Sequence, residues 1–215
     1  MSHPNPRPPR IPALCAAIGL LAIAGCNVVP PAQEDATRYF VLSGAELPAL
    51  AAVQAPTGTL RIGVKTVRLE SYLNRKEMVV RTGANEVRFE DYRRWADPLD
   101  AAVTRIVRSR LLAAPPVAQV FAEPFPFDQA RDFDVSIDIV RFEGALGADG
   151  KYSASLAAVV EVSTTGAGSR IVSRKLFEAP AQAWDGEDFN RLAELLRADT
   201  DLLAQEVASD IPEKP

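Results

Sequence analysis

Phe133-Asp134-Val135-Ser136-Ile137-Asp138-Ile139 alternates apolar and polar side chains without a break, and Phe142 returns to the apolar set three residues later. Period two puts successive side chains on opposite faces of a strand, so this stretch predicts a strand with one buried face. Such a strand needs partners, and the residues on both sides of it supply them. Downstream, Asp149-Gly150 marks a hairpin turn before the run Tyr152 to Val162, and Arg170 to Phe177 reads as the last strand. Thr164 to Ser169, with Gly166 and Gly168, forms the turn between those two.

Upstream, Val117 to Phe121, Tyr39 to Leu42 and the series Leu60, Ile62, Val64, Val67 are further strands. Met78 to Arg81 and Glu86 to Phe89 form a hairpin through Thr82 to Asn85, with Gly83 placed for a positive φ. Two helices complete the pattern. Asp97-Pro98 opens the first, with Asp97 as N-cap and Leu99, Val103, Ile106, Val107 and Leu111 as its apolar stripe, and Pro115-Pro116 ends it. The second runs from about Asp188 to Ala208, with Phe189, Leu192, Leu195, Leu196, Leu202, Leu203 and Val207 facing inward. Asp199 falls inside that stripe, so either the stripe drifts around the helix or a cation pairs with the carboxylate. Strands, helix, strands, helix predict a single α/β or α+β domain over 38–211, a mixed sheet packed by a central and a C-terminal helix, with 212–215 as a tail.

The first residues have a different character. Arg7 and Arg10 precede a 13-residue apolar run, Ile11 to Ile23, which is short for a membrane span and right for the core of a signal peptide. The run ends in Ile23-Ala24-Gly25-Cys26, which resembles a bacterial lipobox with cleavage between Gly25 and Cys26 and lipid on Cys26. Residues 1–25 are then a lipoprotein signal peptide, and 26–37, with Pro30 and Pro31, a lipidated cysteine and its tether. Asn27 in place of aspartate favours the outer membrane by the same resemblance.

Cleavage would remove His3 and Cys15 and leave no histidine and one cysteine. Histidine-dependent nucleophile activation, cysteine or histidine zinc sites and an internal disulfide are thereby excluded. Losing Arg7 and Arg10 from the 24 basic residues takes the formal charge from −4 to −6, which disfavours nucleic acid as a partner. The acidic groups Glu90-Asp91, Asp132 with Asp134, and Asp185 with Glu187 and Asp188 read as solvated or capping residues rather than acid-base pairs. Gly144 to Lys151 lacks the glycine and hydroxyl positions of a phosphate loop, and no GxGxxG follows a strand. No enzyme activity, metal or cofactor is expected.

The densest chemistry lies between Tyr72 and Trp95, where Tyr72, Arg75, Arg81, Asn85, Arg94 and Trp95 are candidate partner-binding residues, since Trp, Tyr and Arg are enriched at interaction hot spots. The alternative is Trp95 as a core anchor and the arginines as solvated or ion-paired side chains. Tyr72-Leu73-Asn74-Arg75, Met78-Val79-Val80-Arg81, Asn85-Glu86-Val87 and Tyr92-Arg93-Arg94-Trp95-Ala96-Asp97-Pro98-Leu99 together resemble the signature block of the PqiC/YmbA-type ABC-transport auxiliary lipoproteins. The likeness extends to the lipobox, the Tyr39-Phe40-Val41-Leu42 strand and the closing helix, with Lys76 standing where a proline is common.

The resemblance implies a periplasm-facing, lipid-anchored subunit, non-catalytic, working with an MCE-domain protein and an ABC permease and ATPase in intermembrane lipid transport and envelope integrity. A homo-oligomer around the partner would suit that role. The competing reading is a periplasmic carrier holding an acyl chain in a cavity of its own, which needs roughly 300 to 1,000 Å³. Palmitate labelling checks the anchor: the wild-type chain is expected to incorporate label, and Cys26→Ala to incorporate none.

Overall fold

The computed structural model describes residues 34–43 and 58–212. Gly25, Cys26 and all of the proposed signal peptide lie outside those residues, as does most of the tether. The compact unit spans Thr37–Pro215. Its strands are β1 (Arg38–Phe40), β2 (Leu60–Val64), β3 (Arg68–Leu69), β4 (Glu77–Gly83), β5 (Glu86–Trp95), β6 (Val117–Ala122), β7 (Phe133–Leu146), β8 (Tyr152–Thr164), β9 (Ile171–Glu178) and β10 (Gln182–Trp184). The helices are α1 (Leu99–Leu112), between β5 and β6, and α2 (Phe189–Ser209), after β10.

All ten strands join one mixed sheet, and β7 is its spine. One edge of β7 pairs antiparallel with β8 from Phe133↔Thr164 to Leu146↔Tyr152. The other edge meets three strands in succession, all parallel: β2 at Phe133 to Val135, β3 at Asp138 and Ile139, β4 at Gly144 and Ala145. From β4 the sheet continues through β5 to β1, from β2 to β6, and from β8 to β9 and β10. The alternation that predicted β7 is real: Phe133, Val135, Ile137 and Ile139 are buried under the helices. The three-residue step to Phe142 is a bulge at Val140, because Ile139 faces Ala158 while Arg141 faces Ala157. One extra residue keeps Phe142 on the helix side and puts Glu143 on the other.

Tight packing fixes where α2 begins. Trp184 packs edge-on against Tyr152 and Phe189, with ring centroids 5.6 and 5.2 Å apart, and its Nε1 donates to the Asp188 carbonyl at 2.7 Å. The indole lies flush on Gly144, where a Cβ would overlap its ring. Asp188 then caps the helix, its carboxylate accepting from the Asn190 and Arg191 amides, and Asp185 accepts from the Glu187 and Asp188 amides before it. Those backbone bonds, Asp188 first, hold the Asp185 carboxyl below its ordinary pKa.

Several local expectations are corrected. β1 starts and ends earlier than Tyr39 to Leu42, at Arg38 and Phe40. Gly83 closes β4 without a positive φ, and Ala84-Asn85 make the turn. Asp97 does not cap α1; Pro98 holds the N-cap position without a side-chain bond, and Asp97 pairs with Arg105, eight residues further along the chain. The strand after the Gly166–Gly168 turn is not the last, since Gln182 to Trp184 adds β10. Its three residues are too short for an alternation to register. Leu202 faces solvent at the flank of the α2 stripe. No described helix is long and apolar enough to cross a membrane.

Asp199 follows neither expectation: it is fully buried, and its partner is a neutral amide, Gln182 Nε2 at 2.6 Å from Oδ1, while Oδ2 has no hydrogen-bond partner. Burial pushes its carboxyl up to about 6, the amide bond opposing. In the unfolded chain it titrates near 3.9, so the folded state binds this proton more tightly. Asp199 therefore costs stability above about pH 6, and the cost fades as pH falls toward 4. Asp199→Asn is expected to raise stability at pH 7 by about 1–2 kcal/mol, and by nothing near pH 4, in denaturant melts run at both pH values.

Candidate functional site

The helix-free face of the sheet is partly covered by residues 70–76, the connection from β3 to β4. The Glu70 amide donates to the Ile139 carbonyl at 3.1 Å, and the Tyr72 hydroxyl donates to the Val140 carbonyl at the bulge, also at 3.1 Å. Leu73 is buried, with Val79 buried on β4 and Val87 and Phe89 half-buried on β5. At the far end the Trp95 amide donates to the Lys76 carbonyl at 2.7 Å. The connection is thus pinned to β7 at one end and to β5 at the other.

A charged cluster sits under it. Arg81 Nε donates to Glu143 Oε1 at 2.5 Å, Nη2 to the Tyr72 hydroxyl at 3.4 Å and Nη1 to the Ala84 carbonyl at 3.2 Å. Glu143 has a fully buried side chain, whereas Arg81 keeps 22% of its surface in solvent. Glu143 raises the Arg81 pKa through the hydrogen bond, and burial, with Glu143 adding, pushes the Tyr72 phenol up to about 12. Tyr72 therefore stays protonated and acts as a donor across the physiological range. Glu143 Oε2 and the neighbouring Thr82 hydroxyl are buried without partners.

The predicted partner-binding residues divide between this face and the core. Arg75 stacks on the Phe89 ring at 3.7 Å from its centroid, Asn85 lies exposed in the hairpin turn, and Arg94 pairs with Glu77 at 3.3 Å. Trp95 is buried against Phe142, centroids 5.8 Å apart, so it supports the surface from beneath. Glu143 is the residue the sequence concealed. Its neighbours Arg141 and Phe142 read as an ordinary alternation, and only the three-residue spacing from Ile139 to Phe142 hinted that the faces shift there.

The acidic pairs weighed in the sequence have structural partners: Asp132 accepts from the Arg61 amide, Asp134 from Arg131, and Glu90 from Arg88. Among the described residues no three His, Cys, Asp or Glu side chains converge as a metal site. Two solvent-open recesses of about 740 and 800 Å³ flank α2, one against β9 and one against β1.

The profile of the family described as ABC-type transport auxiliary lipoprotein component matches residues 40–208, from the last residue of β1 to the end of α2. The chain belongs to that family. Its description is that of a lipoprotein component auxiliary to ABC-type transport. The fold is similar to that of protein XCC0632 from Xanthomonas campestris, assigned to DUF330, with a TM-score of 0.61 and 16% identity over 73% of this chain and 86% of that one. The crystal structure of an uncharacterized protein gives the same TM-score and identity over 82% of this chain and 99% of its own. No curated protein sequence matches the chain.

Within this family member, the Arg81–Glu143 pair is expected to hold the 70–76 cover in place. Arg81→Ala leaves a buried, uncompensated carboxylate and should cost about 3 kcal/mol in urea denaturation, while the double variant Arg81→Leu/Glu143→Leu should recover most of that loss.

Proposed function

We propose that the chain is a non-catalytic, lipid-anchored auxiliary subunit of an MCE/ABC-type intermembrane lipid transport system, docking that machinery to the outer membrane from the periplasmic side and supporting envelope integrity. Cys26 supplies the anchor and residues 27–37 the reach, at about 3.3 Å per extended residue. Family membership supports the auxiliary role. The observation that carries the docking reading is the coherence of the Tyr72 to Leu99 block. Its Tyr72, Arg75, Arg81 and Phe89 form one pinned, basic and aromatic platform on the helix-free face, with Arg75 stacked on Phe89 and Arg81 paired with Glu143, while Trp95 and Leu99 support it from the core. Pre-ordered arginine side chains lose little entropy when a partner arrives, which suits a docking surface. A homo-oligomer presenting several copies of this platform around one MCE partner belongs to the same proposal.

Co-purification from detergent-solubilised envelopes tests it, with Arg75→Ala/Asn85→Ala as the variant because neither side chain carries the core. Wild type is expected to retain the MCE protein and the double variant to lose it about tenfold or more, as for a hot-spot arginine. Equal recovery from a variant with unchanged thermal stability would remove this face from the proposal.

A further inference from the structure

β1 forms one edge of the sheet, paired only with β5, and its register sets Arg38 beside Arg93 on adjacent parallel strands. Like charges side by side on neighbouring strands repel, and a nearby carboxylate normally relieves them. None does so here. Among the described residues, Arg38 contacts only the Phe40 ring, at 5.7 Å, and Arg93 the Phe189 ring, at 5.8 Å, and the Tyr92 carbonyl, at 3.1 Å.

The acids nearby are already engaged. Glu194 accepts from Asn190 Nδ2 at 2.9 Å and Arg191 at 3.1 Å, and Asp201 pairs with Arg197 at 3.6 Å. Arg38 lines the 800 Å³ recess between β1 and α2, whose wall includes Phe40, Val41 and Ala198 and the engaged acids Glu194 and Asp201, and Arg93 adds a second positive charge next to it on β5. At its rim Tyr39 and Val41 are 60% and 47% exposed, an aromatic and an aliphatic side chain held in water next to the arginines.

We propose that the β1 edge is a phospholipid headgroup site. Arg38 and Arg93 grip the phosphate of an anionic lipid at a bilayer surface, and Tyr39 and Val41 lie against its glycerol and upper acyl chain. Guanidinium groups match phosphate oxygens in a planar, two-pronged geometry. Tyrosine favours the headgroup level, where one end of the ring is wet and the other apolar. The apolar rim selects an amphiphile over free phosphate, because a hydrated inorganic anion would leave Tyr39, Val41 and Ala198 uncovered. This site lies on the helix side of the sheet edge, separate from the Tyr72 to Arg81 platform. It rests on the envelope-lipoprotein reading for the presence of a bilayer, but not for the geometry of binding.

The full-length protein is tested in vesicles, with a bimane fluorophore on Val41→Cys and, as reference, on Val172→Cys of β9 at the opposite sheet edge. The vesicles carry brominated phosphatidylglycerol or brominated phosphatidylcholine as quencher. Quenching at position 41 is expected to be about fivefold or more stronger on phosphatidylglycerol, to fall about fivefold with each of Arg38→Gln and Arg93→Gln, and to survive millimolar inorganic phosphate, while position 172 stays silent. Position 41 no more quenched than 172, or quenching indifferent to both arginines, overturns the proposal, and loss of the signal to inorganic phosphate reassigns the site to a free anion and overturns the lipid. Dye labelling of the unsubstituted chain would mark an unacylated cysteine and sink the anchor reading alone. The same comparison is then run in a Cys15→Ser/Cys26→Ser background, where the headgroup site gives its own answer.

Discussion

β7 is hydrogen-bonded along both edges, and the rest of the architecture follows from sharing that one strand. Its β8 edge is a single long antiparallel ladder, while its other edge is divided among β2, β3 and β4, each paired over two or three residues. Short parallel pairings are weak by themselves, and here they are aligned by a strand whose register the β8 hairpin already sets. The bulge at Val140 falls between the β3 and β4 pairings. It rotates the far half of the strand so that Phe142 still faces Trp95 and Leu156, and Glu143 emerges on the helix-free side.

Two carboxylates are buried among the described residues, and the fold treats them differently. Glu143 meets a guanidinium and a phenol, and its burial organises a surface feature, the 70–76 cover. Asp199 meets only an amide and an otherwise apolar interior, and it carries an elevated pKa in consequence. Replacing a paired ion by apolar groups is often close to neutral, whereas an unmatched buried acid is a direct cost. The first therefore reads as a positioning device for the arginine platform, and the second as a strain tolerated where α2 meets β10.

The sheet has two kinds of unfinished surface. On the helix-free face, arginines are immobilised by a ring and a carboxylate and present a rigid shape. At the β1 edge, Arg38 and Arg93 sit side by side, paired with no carboxylate among the described residues, next to apolar side chains, and present unbalanced charge. Rigid shape suits a protein partner, and unbalanced charge beside exposed apolar surface suits a lipid headgroup. A domain tethered to a membrane while engaging transport machinery would use both.

The mixed sheet, the two helices, the hairpin at Asp149-Gly150 and the family were legible in the sequence, because hydrophobic period, turn residues and motif spacing are local properties. Gly150, with φ of 77°, and Gly166 and Gly168, at 87° and 96°, do what their positions in turns suggested. Tertiary structure alone decided the partners of residues far apart in the chain: Arg81 with Glu143, Gln182 with Asp199, Arg38 beside Arg93, and Trp184 on the bare backbone of Gly144. Each depends on register across a strand pair or on how a helix docks. A one-residue bulge such as that at Val140 changes which side chains meet while leaving the composition of every segment the same. For that reason the Tyr72 to Trp95 block was visible as a motif, with Trp95 as a core anchor one of its two readings, but the carboxylate beneath Arg81 and the two arginines set side by side at the sheet edge were not.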